Sequence, residues 1–149
     1  MINWTPSDAL DWNFGLAWTA FVLVVALHVW DEAAHDFLTL YNPNALALRR
    51  RYHVPVPVFT LRVWIGSLTA GITVLFLLSP FAFQGVHWLR VVALPLALIV
   101  GLFNAGMHII GSLIYHQRVA GVLTSPLLLM AGSWLLWSSW EEVVIASWP

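Results

Sequence analysis

Residues 14–37 read FGLAWTAFVLVVALHVWDEAAHDF, and the two halves of this stretch obey different rules. From 14 to 27 no side chain can ionise, whereas the last ten residues hold His28, Asp31, Glu32, His35 and Asp36. A helix needs about 20 mostly apolar residues to cross about 30 Å of hydrocarbon at 1.5 Å per residue. The stretch therefore has the length of a membrane span, yet it carries in its final turns groups that are costly to place in lipid. Such groups call for a specific partner or a function.

Working outward, three further apolar segments of similar length follow, at about residues 58–79, 91–114 and 121–143, with boundaries good to a few residues. The expected fold is all-α, a single multi-pass membrane domain over residues 1–149 built as a four-helix bundle. Composition agrees: 60% of the 149 residues are hydrophobic and 9% charged, against roughly a quarter charged in soluble domains. The connection 41–57, with Pro43, Pro55, Pro57 and Arg49, Arg50, Arg51, reads as a basic, extended interfacial loop; residues 80–86 and 116–120 read as tight turns. Without Cys, the chain can form no disulfide, iron-sulfur cluster, covalent c-type haem or Cys-containing zinc site. A net charge of -1 with scattered arginines gives no footprint for nucleic acid, so the expected partners are membrane lipids.

Cytoplasmic loops retain excess Arg and Lys. Arg49, Arg50, Arg51 and Arg118 fall on one side, and Arg90 with Asp8, Asp11, Glu141 and Glu142 on the other, so both termini are expected to face away from the cytoplasm across the plasma (inner) membrane. The first apolar stretch is too long for a signal-peptide core and lacks a positive leader, so it is expected to stay in the mature protein. Trp4, Trp12, Trp88, Trp140 and Trp148 fall where an aromatic belt would lie at the non-cytoplasmic interface. Arg90 is expected to pair there with Glu141 or Glu142.

The intramembrane polar groups share faces. His28, Glu32 and His35 are spaced i, i+4, i+7, within a stripe of about 60° at 100° per residue, and Asp31 lies about 60° from His28. Gly101, Asn104, His108, Gly111 and Tyr115 form a second stripe, with glycines that would let another helix approach closely. Arg62, Gly66, Thr69 and Thr73 form a third; Gly121, Ser125, Gly132 and Ser139 form a fourth. Counted from the segment midpoints, Glu32, Arg62, His108 and Ser125 lie about 9 to 11 Å toward the cytoplasmic side and His28 and Asn104 about 3 Å. Four segments thus place polar groups near one level, as a single site open to the inner leaflet would.

His-x3-Glu-x2-His on one helix and Asn-x3-His on another supply imidazoles and a carboxylate of the kind that bind zinc or non-haem iron. The expected ligands of one divalent ion are His28, Glu32, His35 and His108; Asp31 or Asn104 would orient ligands or substrate, and Arg62 would neutralise a carboxylate or hold an anionic group. A di-iron centre lacks its second Glu-x-x-His and further carboxylates, and six His are too few for a histidine-box desaturase. Three alternatives stand beside the metal site: a structural network of hydrogen bonds and ion pairs, a bis-His haem between His28 or His35 and His108, and a non-catalytic carrier of ions or protons. His53, His87 and His116 fall at interfaces, where solvated imidazoles are ordinary, although His116 lies near enough to the cytoplasmic mouth to shuttle protons.

The segment HVWDEAAHDF resembles the signature of the His-x-x-Glu-Glu (HXXEE) family of small integral membrane proteins, with His28 as its His, Glu32 as its second acid and Asp31 replacing the first Glu. The later stretch FNAGMHIIGSLIYHQRVAGVLTSPLLLM resembles that family's second half, through Asn104 and His108 and then Gly121 and Thr124; Ala120 stands where Pro is usual. The resemblance implies that the two polar patches belong to one site, and it brings no reaction with it. For the reaction the residues leave two readings: a metal-dependent enzyme acting on a lipid or small amphiphile, or a non-catalytic ion- or proton-binding carrier or assembly partner.

Overall fold

The computed structural model describes residues 10–140 and 142–143, and among these every regular element is helical. Trp4, Asp8, Glu141 and Trp148 lie outside the described residues. Asp11 starts α1 (Trp12–Ala34), its carboxylate accepting the Phe14 N–H at 3.0 Å as an N-cap. The helix ends at His35, and Asp36, in the left-handed region at φ 52°, turns the chain into α2 (Phe37–Tyr52).

The extended loop expected over 41–57 is thus helical through Tyr52. Pro43 lies inside α2, and Arg49, Arg50 and Arg51 fill the last turn, where cations complement the carbonyl end of a helix. Only residues 53–60 lie outside a helix, starting with His53 in the left-handed region at φ 55°, and the Asn42 amide pins the segment back. Its Nδ2 donates to the Phe59 carbonyl at 2.9 Å, and its Oδ1 accepts the Phe59 N–H at 3.1 Å.

Thr60 caps α3 (Leu61–Leu77), which continues after a break at Leu78 into α4 (Ser79–Phe83). Gly85, at φ 64°, turns the chain into α5 (His87–Pro95), a π-helical segment (Leu96–Phe103) and α6 (Asn104–Tyr115), one 29-residue rod. The π segment begins just after Pro95, which has no N–H to give to the carbonyl four residues back; the ladder restarts one residue wider, ending with the Asn104 N–H on the Ile99 carbonyl. A turn at 120–124 leads to α7 (Ser125–Trp140).

Three helical stretches, Trp12–Ala34, Leu61–Phe83 and His87–Tyr115, are long and apolar enough to cross a membrane. At the centre, α1 packs on α7, and α7 packs in turn on α5, the π segment and α6. Trp18, Phe14, Phe21, Leu89, Leu128 and Leu135 are fully buried there. The tightest approach is between Gly101 and Gly132. A Cβ on either would lie 2.8 Å from the other's Cα, well inside the roughly 3.5–4.0 Å at which carbons pack best. By contrast α3 lies at the edge, with Trp64 its one buried residue among those described. The Gly66, Thr69 and Thr73 stripe faces away from α1, whereas Gly121, Ser125, Gly132 and Ser139 are buried.

At the end of the molecule near the start of α1, Arg90 is buried and forms an ion pair with Asp11, donates to the Ser138 carbonyl at 2.5 Å and lies 4.4 Å over the Phe14 ring. Its carboxylate partner among the described residues is therefore Asp11, an acid already fixed beside it by capping α1. Glu142 is exposed.

Candidate metal centre

His28 and Glu32 stand one helical turn apart on α1, and His108 projects from α6 toward the same point. Glu32 Oε1 is 2.9 Å from His108 Nε2 and 3.7 Å from His28 Nε2. One ligand atom from each residue lies within 4.8 Å of the others, and all three residues are buried. Ligands about 2.1 Å from a tetrahedral ion sit about 3.4 Å apart, so these separations straddle the spacing such an ion requires.

The turn before α7 sets the orientation of His28. Asp31 Oδ2 accepts the Thr124 backbone N–H at 3.2 Å and the Thr124 hydroxyl at 3.0 Å, while Thr124 Oγ lies 2.8 Å from His28 Nδ1. A hydroxyl has one proton to give, and the carboxylate is a better acceptor than the Gly121 carbonyl 3.2 Å away. With that proton on Asp31, Thr124 Oγ accepts from His28 Nδ1–H. The lone pair of His28 then resides on Nε2, facing Glu32. A carboxylate acting through a partner to fix an imidazole is how protein metal sites hold their ligands. The same Asp31 contact caps the N-terminus of α7 from another helix, where negative charge is stabilised.

Charge balance distinguishes this cluster. Asp31 and Glu32 are both buried, and their only cationic partners within 4 Å among the described residues are imidazoles: His35 for the first, His28 and His108 for the second. No guanidinium reaches either acid. Two imidazoles and a carboxylate converging without a fixed positive charge form a donor set suited to zinc or non-haem iron.

Gly121 closes the other side. Its φ of 84° favours glycine, and a Cβ there would lie 2.9 Å from the Cε1 atoms of both His28 and His108. The two rings meet edge to face with centroids 4.9 Å apart. With Gly121 packed on both, no slot for a haem opens between them.

Of the other residues singled out by the sequence, Asn104 joins the cluster, its Nδ2 being 3.1 Å from His28 Nε2. Asp31 acts through Thr124. His35 and Arg62 are not brought in. The His35 side chain is 53% exposed and turns back on Asp31, 2.9 Å from Oδ1. The physical reason is axial distance: residues i and i+7 share a face but stand about 10.5 Å apart along the helix, too far to meet one ion. Arg62 is exposed, because α3 turns Trp64 inward and a residue two positions back lies about 160° around the helix. His53, His87 and His116 are exposed.

Two residues matter more than the spacing indicated. Thr124 entered only through the motif resemblance, and its position just before an apolar run marks it as a helix-capping type. Phe37 lay at the edge of the quoted stretch; its ring lies 5.7 Å from that of His108 and 5.6 Å from that of Trp64. Phe37 lines three cavities that touch the cluster. One, of about 370 Å³, reaches His28 and Glu32 between α1, α3 and the π segment; a second, of about 320 Å³, reaches Glu32 beside Asp36, Asn42 and Trp64; a third, of about 650 Å³, reaches His108 between α2 and α6. Asn104 lines the first and the third. Searches of protein-family models, curated proteins and solved structures return no match to this chain, so the site has to be read from its own geometry.

Proposed function

We propose that the chain is a multi-pass membrane protein whose long helices form a four-helix bundle, and that it holds one divalent ion, zinc or iron, through His28, Glu32 and His108. On this reading it is a metal-dependent enzyme acting on a lipid or small amphiphile. The observation that carries it is the buried meeting of Glu32 with two imidazoles, next to a second buried acid and with no guanidinium in reach. A bound ion would supply Lewis acidity at this point. The chain's own groups do the rest: Thr124 and Asp31 hold the His28 ring, the Asn104 amide can hydrogen-bond a polar group of a bound molecule, and the apolar cavity walls limit water. On its motifs alone we also read the chain as a relative of the HXXEE family.

A second reading is favoured by one distance. His108 Nε2 and Glu32 Oε1, 2.9 Å apart, can share a proton, which would make the cluster an ion- or proton-binding element without catalysis. Metal analysis by mass spectrometry of protein purified in detergent separates the two. About one ion per chain is expected in wild type, falling below about 0.2 in His28→Ala and His108→Ala. Wild type below about 0.2, or metal undiminished in both variants, overturns the metal reading.

A further inference from the structure

The cavity between α2 and α6 suggests what the site would meet. One face of α2 lines it from Phe37 through Leu40, Asn44 and Leu48 to Arg51, about 21 Å along the helix. Its volume of about 650 Å³ falls within the range of small-molecule sites, about 300–1,000 Å³. The lining is mostly apolar, with polarity concentrated at its ends. His108 and Asn104 stand at the Phe37 end, and Arg51 at the other.

Between those ends the side-chain donors are committed: Tyr41 OH donates to the Pro57 carbonyl and Asn44 Nδ2 to the Leu40 carbonyl. The neighbouring Arg49 is committed to the Val56 carbonyl. Arg51 stacks on Tyr52, its Cζ 5.3 Å from the ring centroid, and has no carboxylate partner among the described residues. No acid lines the cavity. A long apolar slot with one cation at its end complements an amphiphile of opposite charge.

Resting on the function proposed above, we infer that this groove binds an anionic amphiphile, its carboxylate or phosphate on Arg51 and its apolar body running along α2 toward His108. The anion-holding role expected of Arg62 passes to Arg51, because Arg62 is exposed and lines none of the three cavities that touch the cluster.

The test uses the full chain in maltoside micelles and measures equilibrium binding of radiolabelled oleate, with oleyl alcohol and inorganic phosphate as competitors. Oleate is expected to bind at least about tenfold more tightly than oleyl alcohol, since a charge-assisted hydrogen bond is at stake, and phosphate not to compete. Arg51→Gln should bring oleate down to the level of the alcohol, and Arg51→Lys should restore part of the difference. Ala47→Trp, which fills the groove, should remove binding of both. Equal binding of oleate and the alcohol, unchanged oleate binding in Arg51→Gln, or displacement by phosphate alone overturns the assignment.

Metal content of the same preparations keeps the two proposals apart. Oleate bound with no metal refutes only the metal centre, and metal retained with no oleate binding refutes only the groove.

Discussion

Two buried polar clusters occupy opposite ends of α1, and they are built on different balances. Near its start, Asp11 meets Arg90, and the guanidinium also satisfies the Ser138 carbonyl and covers the Phe14 ring. Charges cancel and donors find acceptors, so nothing further is needed. Near its end, Asp31 and Glu32 meet no guanidinium, only imidazoles and, for Asp31, Thr124; Nε2 of His28, Nε2 of His108 and Oε1 of Glu32 converge. The first cluster holds helices together. The second is the more deeply buried and brings two imidazoles and a carboxylate to one point with no guanidinium to balance them, and this difference marks it as a candidate site.

The contrast breaks most severely at Arg90. Arg90→Ala leaves Asp11 without its ion-pair partner and removes the side-chain bond to the Ser138 carbonyl; the expected loss is about 3 kcal/mol, the lower end for a broken buried pair because Asp11 keeps some exposure. It is measured by denaturant titration in mixed micelles, and metal bound per folded chain should not change. If metal is lost first, the two ends are not independent. Gly121→Ala should do the reverse, with metal affinity falling by about a hundredfold or more as the new methyl displaces both imidazoles, at a cost in stability of about 1–2 kcal/mol for the φ. Isothermal titration with zinc reads the first effect.

Thr124→Val, which cannot relay Asp31 to His28, should weaken metal binding about 10- to 100-fold, with Thr124→Ser restoring it. The smallest effects belong to His35→Ala and Arg62→Ala, each expected to leave metal content within error. A loss of metal in either would return that residue to the site.

What the sequence disclosed followed from single-helix geometry. His28 and Glu32 at i, i+4, and Asn104 and His108 at the same spacing, announce shared faces, and counting depth along each span brings those faces to one level. Hidden were quantities that depend on a second element. For His35 the axial separation was already contained in the i, i+7 spacing; the end of the helix at Ala34, which turns its ring back on Asp31, was not. The α3 stripe reads like the α7 stripe, yet Trp64 turns α3 the other way while α7 buries its small residues. Prolines 43, 55 and 57 suggested an extended loop, but Pro43 lies inside α2 and only the later two fall in extended chain. The partnership of Thr124 with Asp31 spans 93 positions, and no local pattern encodes it.

That long reach bears on how the protein is made. The His28 ring emerges with the first helix, but the hydroxyl that sets its tautomer lies 96 residues later, at the threshold of α7. A nascent chain arrested before Thr124 carries His28, Glu32 and His108 without the turn that orients and closes them. On the proposed metal reading, such a chain would hold an ion about 10- to 100-fold more weakly than one that includes the turn, so tight capture would wait for the last helix.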